Sequence, residues 1–259
     1  MILYVSASLW RVFGAIVLLT FACSSGGSTT EPAPIPQPPA AGRGAARVLM
    51  LTATAAFRHD SIPTARQVMA ALAASGGFSV NATEDLSLVN ADTLRNYDVV
   101  MFALTSGELP FSAAQKSALV DFVSSGHGFI GVHSATDTLY EWADYGRLVG
   151  AYFKEHPWTQ QGSVVVENSS HPASGGLTER FSITEEFYTF QENPRGRVDV
   201  LLRLDPASVG ATGDYPLAWA HAFGAGRAYY NALGHFPETW RDPRFDRQLA
   251  SAIAWTSGR

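Results

Sequence analysis

Cysteine is nearly absent from this 259-residue chain. The one thiol, Cys23, precedes the region that reads as a folded domain. That domain therefore has no cysteine nucleophile, no CxxC redox pair, no thiolate zinc site and no internal disulfide. Basic excess is also missing: 18 Lys and Arg against 23 Asp and Glu leave a net charge of −5. This argues against a nucleic-acid partner. Long apolar runs are missing too. The longest in the first third, residues 12–22, follows Arg11 and is too short to span a bilayer, but it suits the core of an export signal. The remaining balance, 46% hydrophobic and 16% charged, is that of a globular protein. A domain of roughly 210 residues can bury a sufficient core without disulfides or a structural metal.

The N-terminal segment ends in Ala22, Cys23, Ser24 and Ser25, which resembles a bacterial lipobox, with Thr20 where Leu is usual. The expectation is a signal peptide over residues 1–23 with Cys23 acylated. The protein would then be exported and tethered outside the cytoplasmic membrane through that lipid alone. Ordinary signal-peptidase cleavage would instead release it as a periplasmic or secreted protein. Residues 24–46 are rich in Gly and Ser, then in Pro, and form a flexible-to-extended linker. The domain proper spans residues 47–259.

From residue 47 strand and helix signals alternate. Residues 47–52 form a continuous apolar run suited to a strand buried on both faces. Ser61 stands as N-cap, with Pro63 in the first turn, for a helix to Ala74 that Gly76 and Gly77 stop. Residues 78–82, 97–104 and 128–132 read as further strands. Ser112 and Gln115 make a capping box for a helix to Ser125. This βαβαβ alternation implies a parallel sheet covered by helices. Beyond it, residues 163–166, 181–190, 198–204, 217–222 and 227–231 read as strands joined by turns, with a final helix over 244–256. The fold class is α/β with an antiparallel extension in the second half.

In open α/β sheets ligands bind at the carboxyl ends of the strands, so polar groups just after each strand are the candidates. His59 and Asp60 follow the first strand; Thr105, Ser106 and Glu108 follow the strand at 97–104. His133, Ser134 and Asp137 follow the strand at 128–132, and His235 follows the late strand. Gly131, Val132, His133, Ser134 and Ala135 have the form of an elbow turn, small residues around one exposed side chain, which in similar hydrolases presents Ser or Cys. Here it presents His133, as general acid or base, as a metal ligand, or simply as a cap of the following turn. Ser134 is a less apt nucleophile, because the elbow position itself is the histidine.

Several segments together resemble the trehalose-utilisation (ThuA-like) family. They are Phe57-Arg58-His59-Asp60-Ser61-Ile62-Pro63, the stretch from Gly128 to Asp137, Tyr145 to Phe153 with His156-Pro157, and His171-Pro172 with Gly176-Leu177. Glu185-Glu186-Phe187-Tyr188, Pro216 to Trp219 and Gly226 to His235 complete the set. They cover essentially all of residues 47–259. The resemblance implies a class I glutamine amidotransferase-like fold, with a flavodoxin-like parallel sheet flanked by helices, in which His133 stands where the amidotransferases carry cysteine. Without a thiolate the thioester route is closed. The resemblance further implies sugar metabolism, trehalose and related glycosides above all. Two positions depart from the family's habit: Glu185-Glu186 stands where Asp-Glu is common, and Asp214-Tyr215-Pro216 where Asp-His-Pro is common.

On this basis His133, His235, Glu186, Asp137 and His59 are the candidates for acid–base work. Glu108, Thr105, Tyr140, Trp142, His156 and Tyr188 are the candidates for holding substrate. Trp158 and Trp240 lie beside the same loops, and all these aromatics suit either a pyranose face or the packing of the domain's own loops. A two-carboxylate glycosidase would draw on Glu108, Asp137 and Glu186, separated by roughly 5–10 Å. The expected substrate is a small saccharide or an oxidised (keto) glycoside, with a sugar oxidoreductase as pathway partner. Two other readings stay open: a non-catalytic carbohydrate-binding lipoprotein, and a hydrolase with a divalent ion on His59, His133 or His156. No HExxH-type spacing supports the last, and no cofactor is required by the sequence. His156-Pro157 and His171-Pro172 read as turn-forming pairs, His127 as structural.

Overall fold

The computed structural model describes residues 44–259. The segment read as an export signal, Cys23 and nearly all of the expected linker lie outside the described residues. One nine-stranded sheet organises the rest: β1 (Ala46–Leu51), β2 (Phe78–Thr83), β3 (Val99–Ala103), β4 (Gly128–Val132), β5 (Phe153–Val166), β6 (Phe181–Phe190), β7 (Asp199–Leu204), β8 (Tyr215–Phe223) and β9 (Gly226–Asn231). The strand order is β2-β1-β3-β4-β9-β8-β7-β5-β6. The first five are parallel and repeat the flavodoxin order, with β9 in fifth place. From β9 outward every pairing is antiparallel. The expected α/β sheet with an antiparallel extension is what the chain forms.

Burial follows that division. Every residue of β3, β4 and β9 is buried, as expected of parallel strands covered on both faces. The edge strand β2 is mostly half-buried, and much of β5 is exposed. The helices are α1 (Ile62–Ser75), α2 (Ala91–Leu94), α3 (Ala113–Ser124), α4 (Ala143–Val149), α5 (Pro237–Trp240) and α6 (Pro243–Thr256). Among them α4 packs on β4 and β9, and α6 on β1, β4 and β9. Ser112 caps α3 with the reciprocal Gln115 bond expected of a capping box. No helix of the described residues is long and apolar enough to cross a membrane.

Two local expectations are corrected. Ser61 stands at the N-cap position of α1 but makes no cap bond, because its backbone is already helical (φ −76°, ψ −12°). Its hydroxyl instead donates to the carbonyl of Gly234 at 3.2 Å, tying the start of α1 to the loop after β9. His156-Pro157 is not a turn. It lies inside β5, which begins ten residues before the segment 163–166 read from sequence. Between Glu155 and Trp158 the register with β6 slips by one residue, a β-bulge that accommodates the proline.

Candidate functional site

The elbow after β4 forms as expected. His133 sits directly beyond Val132 with φ +52°, a left-handed conformation uncommon outside glycine. Its surroundings hold it there: Tyr230 donates its hydroxyl to the His133 carbonyl at 2.7 Å, and Thr136 approaches the same oxygen at 3.3 Å. Gly131 packs tightly behind the turn: a Cβ there would stand 3.1–3.2 Å from the Tyr230, Ala135 and Val149 side chains, which would have to give by a few tenths of an ångström. The expected exposure does not materialise. His133 is fully buried, and so is Ser134, because β6 and the loop after β9 cover the elbow.

What covers it is the rest of the site. The antiparallel arm carries Glu186 and Tyr188 from β6 across the sheet to the carboxyl ends of β4 and β9. Glu186 Oε2 lies 3.1 Å from His235 Nδ1 and 3.5 Å from His133 Nε2. Its other oxygen lies 3.2 Å from His156 Nδ1, which the bulge in β5 turns toward it. Tyr188 donates its hydroxyl to His133 Nε2 at 3.0 Å. The rings of His59, His133 and His235 meet edge to face, with centroids 4.7–5.4 Å apart. One ligand atom each from His59, His133, Glu186 and His235 lies within 4.8 Å of the others, close enough to share one ion.

Charge is unevenly shared in this cluster. Burial, then the neighbouring His133 and His235, push the His59 imidazole down to about 3, so it is neutral. Burial opposes charge on His235 as well, but the Glu186 carboxylate beside it wins and raises it. Glu186 is depressed, because its contacts with His133 and His235 outweigh the burial that would raise it. Asp137 is raised, mainly by burial, although Tyr140 donates to it at 2.7 Å.

Beneath the cluster lies a residue that sequence reading passed over. Glu185 is fully buried, and its carboxylate accepts from the backbone N–H groups of Gly234, His235 and Glu186 at 2.8, 3.1 and 3.1 Å. It also accepts from the Thr239 hydroxyl at 2.7 Å. It fixes the loop that bears His235. The only available signal was its place beside Glu186, in the pair that departs from Asp-Glu. Phe57 was also passed over: it is 62% exposed, and its ring stands on the edge of His59 at 4.8 Å.

The remaining candidates separate clearly. Thr105 is buried and pairs with the Thr138 hydroxyl. Trp142 is buried against Tyr145, with Lys116 over its ring. Glu108 accepts from the Glu141 backbone. None of these contacts reaches the cluster, whereas Tyr140 approaches it through Asp137. Trp158 packs on Tyr215, and Trp240 is buried on Phe245. His127 stacks on Phe122, His171 accepts from the Ala173 N–H to hold its loop, and His221 lies 3.1 Å from the Leu148 carbonyl. Ser134 Oγ is 3.4 Å from His59 Nδ1, a long contact for a nucleophile and its base. A cavity of about 700 Å³ opens elsewhere, lined by Arg147, Tyr152, Gln191, Arg197 and Phe223 among others, and none of the cluster residues borders it. Its size is no reason to place chemistry there, since it lacks the converging imidazoles.

Comparison with known proteins agrees with this fold. Among solved structures, the chain is similar to a ThuA-like protein from Bacteroides uniformis (24% identity, TM-score 0.70, covering 85% of this chain and 94% of that one). It is also similar to a ThuA-like protein from Parabacteroides merdae (17% identity, TM-score 0.68, 82% and 90%). A β-galactosidase from Bacillus circulans shares the fold over 31% of its own length (14% identity, TM-score 0.55, 82% of this chain). No curated protein matches the chain. The family model described as ThuA, trehalose utilisation, matches residues 47–256. With four-fifths of the chain matched by that family model, the protein belongs to the ThuA family.

Proposed function

We propose that the chain processes a saccharide or an oxidised (keto) glycoside by proton transfer at the Glu186 cluster, outside the cytoplasmic membrane. The observation that carries this reading is the convergence of His59, His133 and His235 on one carboxylate at the carboxyl ends of the parallel strands. Sugar hydroxyls exchange hydrogen bonds with carboxylates and imidazoles, and their C–H faces lie against aromatic rings. Here Glu186, His156 and Asp137 supply the first kind of contact, and the exposed Phe57 ring supplies the second.

The chemistry asks for one acid and one base. Glu186 keeps His235 protonated to higher pH than an isolated imidazole, which suits it to donate to a departing oxygen. In a keto glycoside the carbonyl acidifies the adjacent C–H, and a carboxylate or imidazole at the rim suffices to remove that proton. A sugar oxidoreductase would supply such a substrate. The location rests on residues 1–23 and is checked by globomycin sensitivity and labelling with a radioactive fatty acid.

The test is a thermal-shift screen of mono- and disaccharides and their keto derivatives, since any ligand bound by the native state raises the melting point by mass action. Hits are followed by product analysis. Turnover is expected, with Glu186→Gln and His235→Ala each lowering kcat/KM by about a hundredfold and Phe57→Ala raising KM. Sugar affinity that stays within a few-fold in His133→Ala and Glu186→Ala, with no product from any hit, would instead make the chain a carbohydrate-binding protein.

A further inference from the structure

We propose that His59, His133, His235 and Glu186 form a binding site for one divalent transition-metal ion of the zinc type. Their donor atoms lie within 4.8 Å of one another. Four ligands at about 2.0–2.2 Å around one tetrahedral ion stand about 3.3–3.6 Å apart, so the side chains need to close in by about 1 Å. Three imidazoles and a carboxylate, with no thiolate, are donors that suit zinc, iron, nickel or cobalt rather than magnesium or calcium.

The hydrogen bonds around the cluster point the same way. His133 Nδ1 lies 2.8 Å from the carbonyl of Ala232. A carbonyl can only accept, so Nδ1 donates to it and Nε2 is the nitrogen that faces the cluster. Nε2 meets the Tyr188 hydroxyl and faces Glu186 Oε2 at 3.5 Å, and an ion bound there takes the place of the hydroxyl contact. His235 Nδ1 is buried, and although 3.1 Å from Glu186 it makes no well-directed hydrogen bond. His59 Nδ1 is engaged by Ser134, leaving Nε2 for an ion. Ligand histidines held through their second nitrogen by a carbonyl or hydroxyl, and a ligand carboxylate held by a further side chain, are the outer-shell pattern of metal centres. Here Ala232, Ser134 and His156 are those partners. The four ligands come from four separate segments of the chain, which is why no spacing motif announces them.

Ion binding does not depend on the saccharide reading, but its consequence for mechanism rests on it. With an ion bound, His133 and His235 would serve as ligands rather than proton carriers, and acid–base work would fall to His156 and Asp137, which stand outside the ligand set. The experiment uses the untagged full chain, freed of metal by chelator and titrated with zinc in the absence of sugar, by calorimetry and elemental analysis. One ion per chain is expected. Affinity should fall at least about tenfold in His59→Ala and Glu186→Gln, and less in His156→Ala. Imidazole nitrogen spectra of the unaltered protein serve if a variant fails to fold: three ring systems should shift on adding zinc. No uptake by the folded chain, undiminished uptake in Glu186→Gln, or shifts confined to other histidines would overturn the site. Because sugar is absent throughout, its failure is separate from a failure of the saccharide reading.

Discussion

Glu185 and Glu186 are neighbours of one residue type with opposite surroundings. Glu186 meets imidazoles at the mouth of the site, whereas Glu185 is sealed beneath and saturated by three N–H groups and one hydroxyl. A carboxylate accepts at both oxygens; an amide accepts at one and donates from the other end. Glu185→Gln therefore sets an NH₂ against backbone N–H donors and should destabilise the fold by about 2–4 kcal/mol. Chemical denaturation would show it as a lower midpoint at unchanged slope, and an unshifted midpoint would contradict the assigned role. The sequence placed both residues in one strand and singled out Glu186. It offered no sign that Glu185 anchors the His235 loop, because the partners lie about fifty positions away.

Among the elements, α3 and β5 show what local patterns reveal and what they hide. Ser112 and Gln115 were legible as a capping box because both bonds lie within four residues. Ser112→Ala should lower stability by about 1 kcal/mol, read as a reduced melting temperature, and Ser112→Asp should restore most of it. The first ten residues of β5 were illegible. Lys154, Glu155, His156 and Pro157 carry no strand signal, and their pairing with β6 is a long-range ladder bent by a bulge. The bulge nonetheless places His156 on Glu186, so the least strand-like stretch bears a residue of the site.

Across the whole molecule, the start of β1 and the C-terminus are joined through Asp98, which meets Arg47 at 3.1 Å and Arg259 at 3.0 Å. Burial would raise the Asp98 carboxyl, but the bonds from Arg47 and the charge of Arg259 outweigh it and hold it below its usual value. A depressed carboxylate contributes stability that is present above its unfolded pKa and lost as pH falls through the folded one. Asp98→Asn should thus cost about 1 kcal/mol at neutral pH, and the difference from the parent should close in acid, below both values. A gap that persists unchanged in acid would assign the effect to packing instead.

The buried runs at β1, β3 and β4, the Gly and Ser punctuation and the strand-end polar residues follow from local chemistry, so a parallel α/β core with polar residues at its carboxyl edge was readable residue by residue. The absence of cysteine from the domain likewise closed thiol chemistry before any fold was known. The joining of the cluster was not readable. His59, His133 and His235 share one end of the sheet because parallel strands align their carboxyl ends. Glu186 and Tyr188 reach that end only because the antiparallel arm folds β6 back across it. Burial of the arm's apolar residues against the core drives that folding, and no spacing along the chain records it.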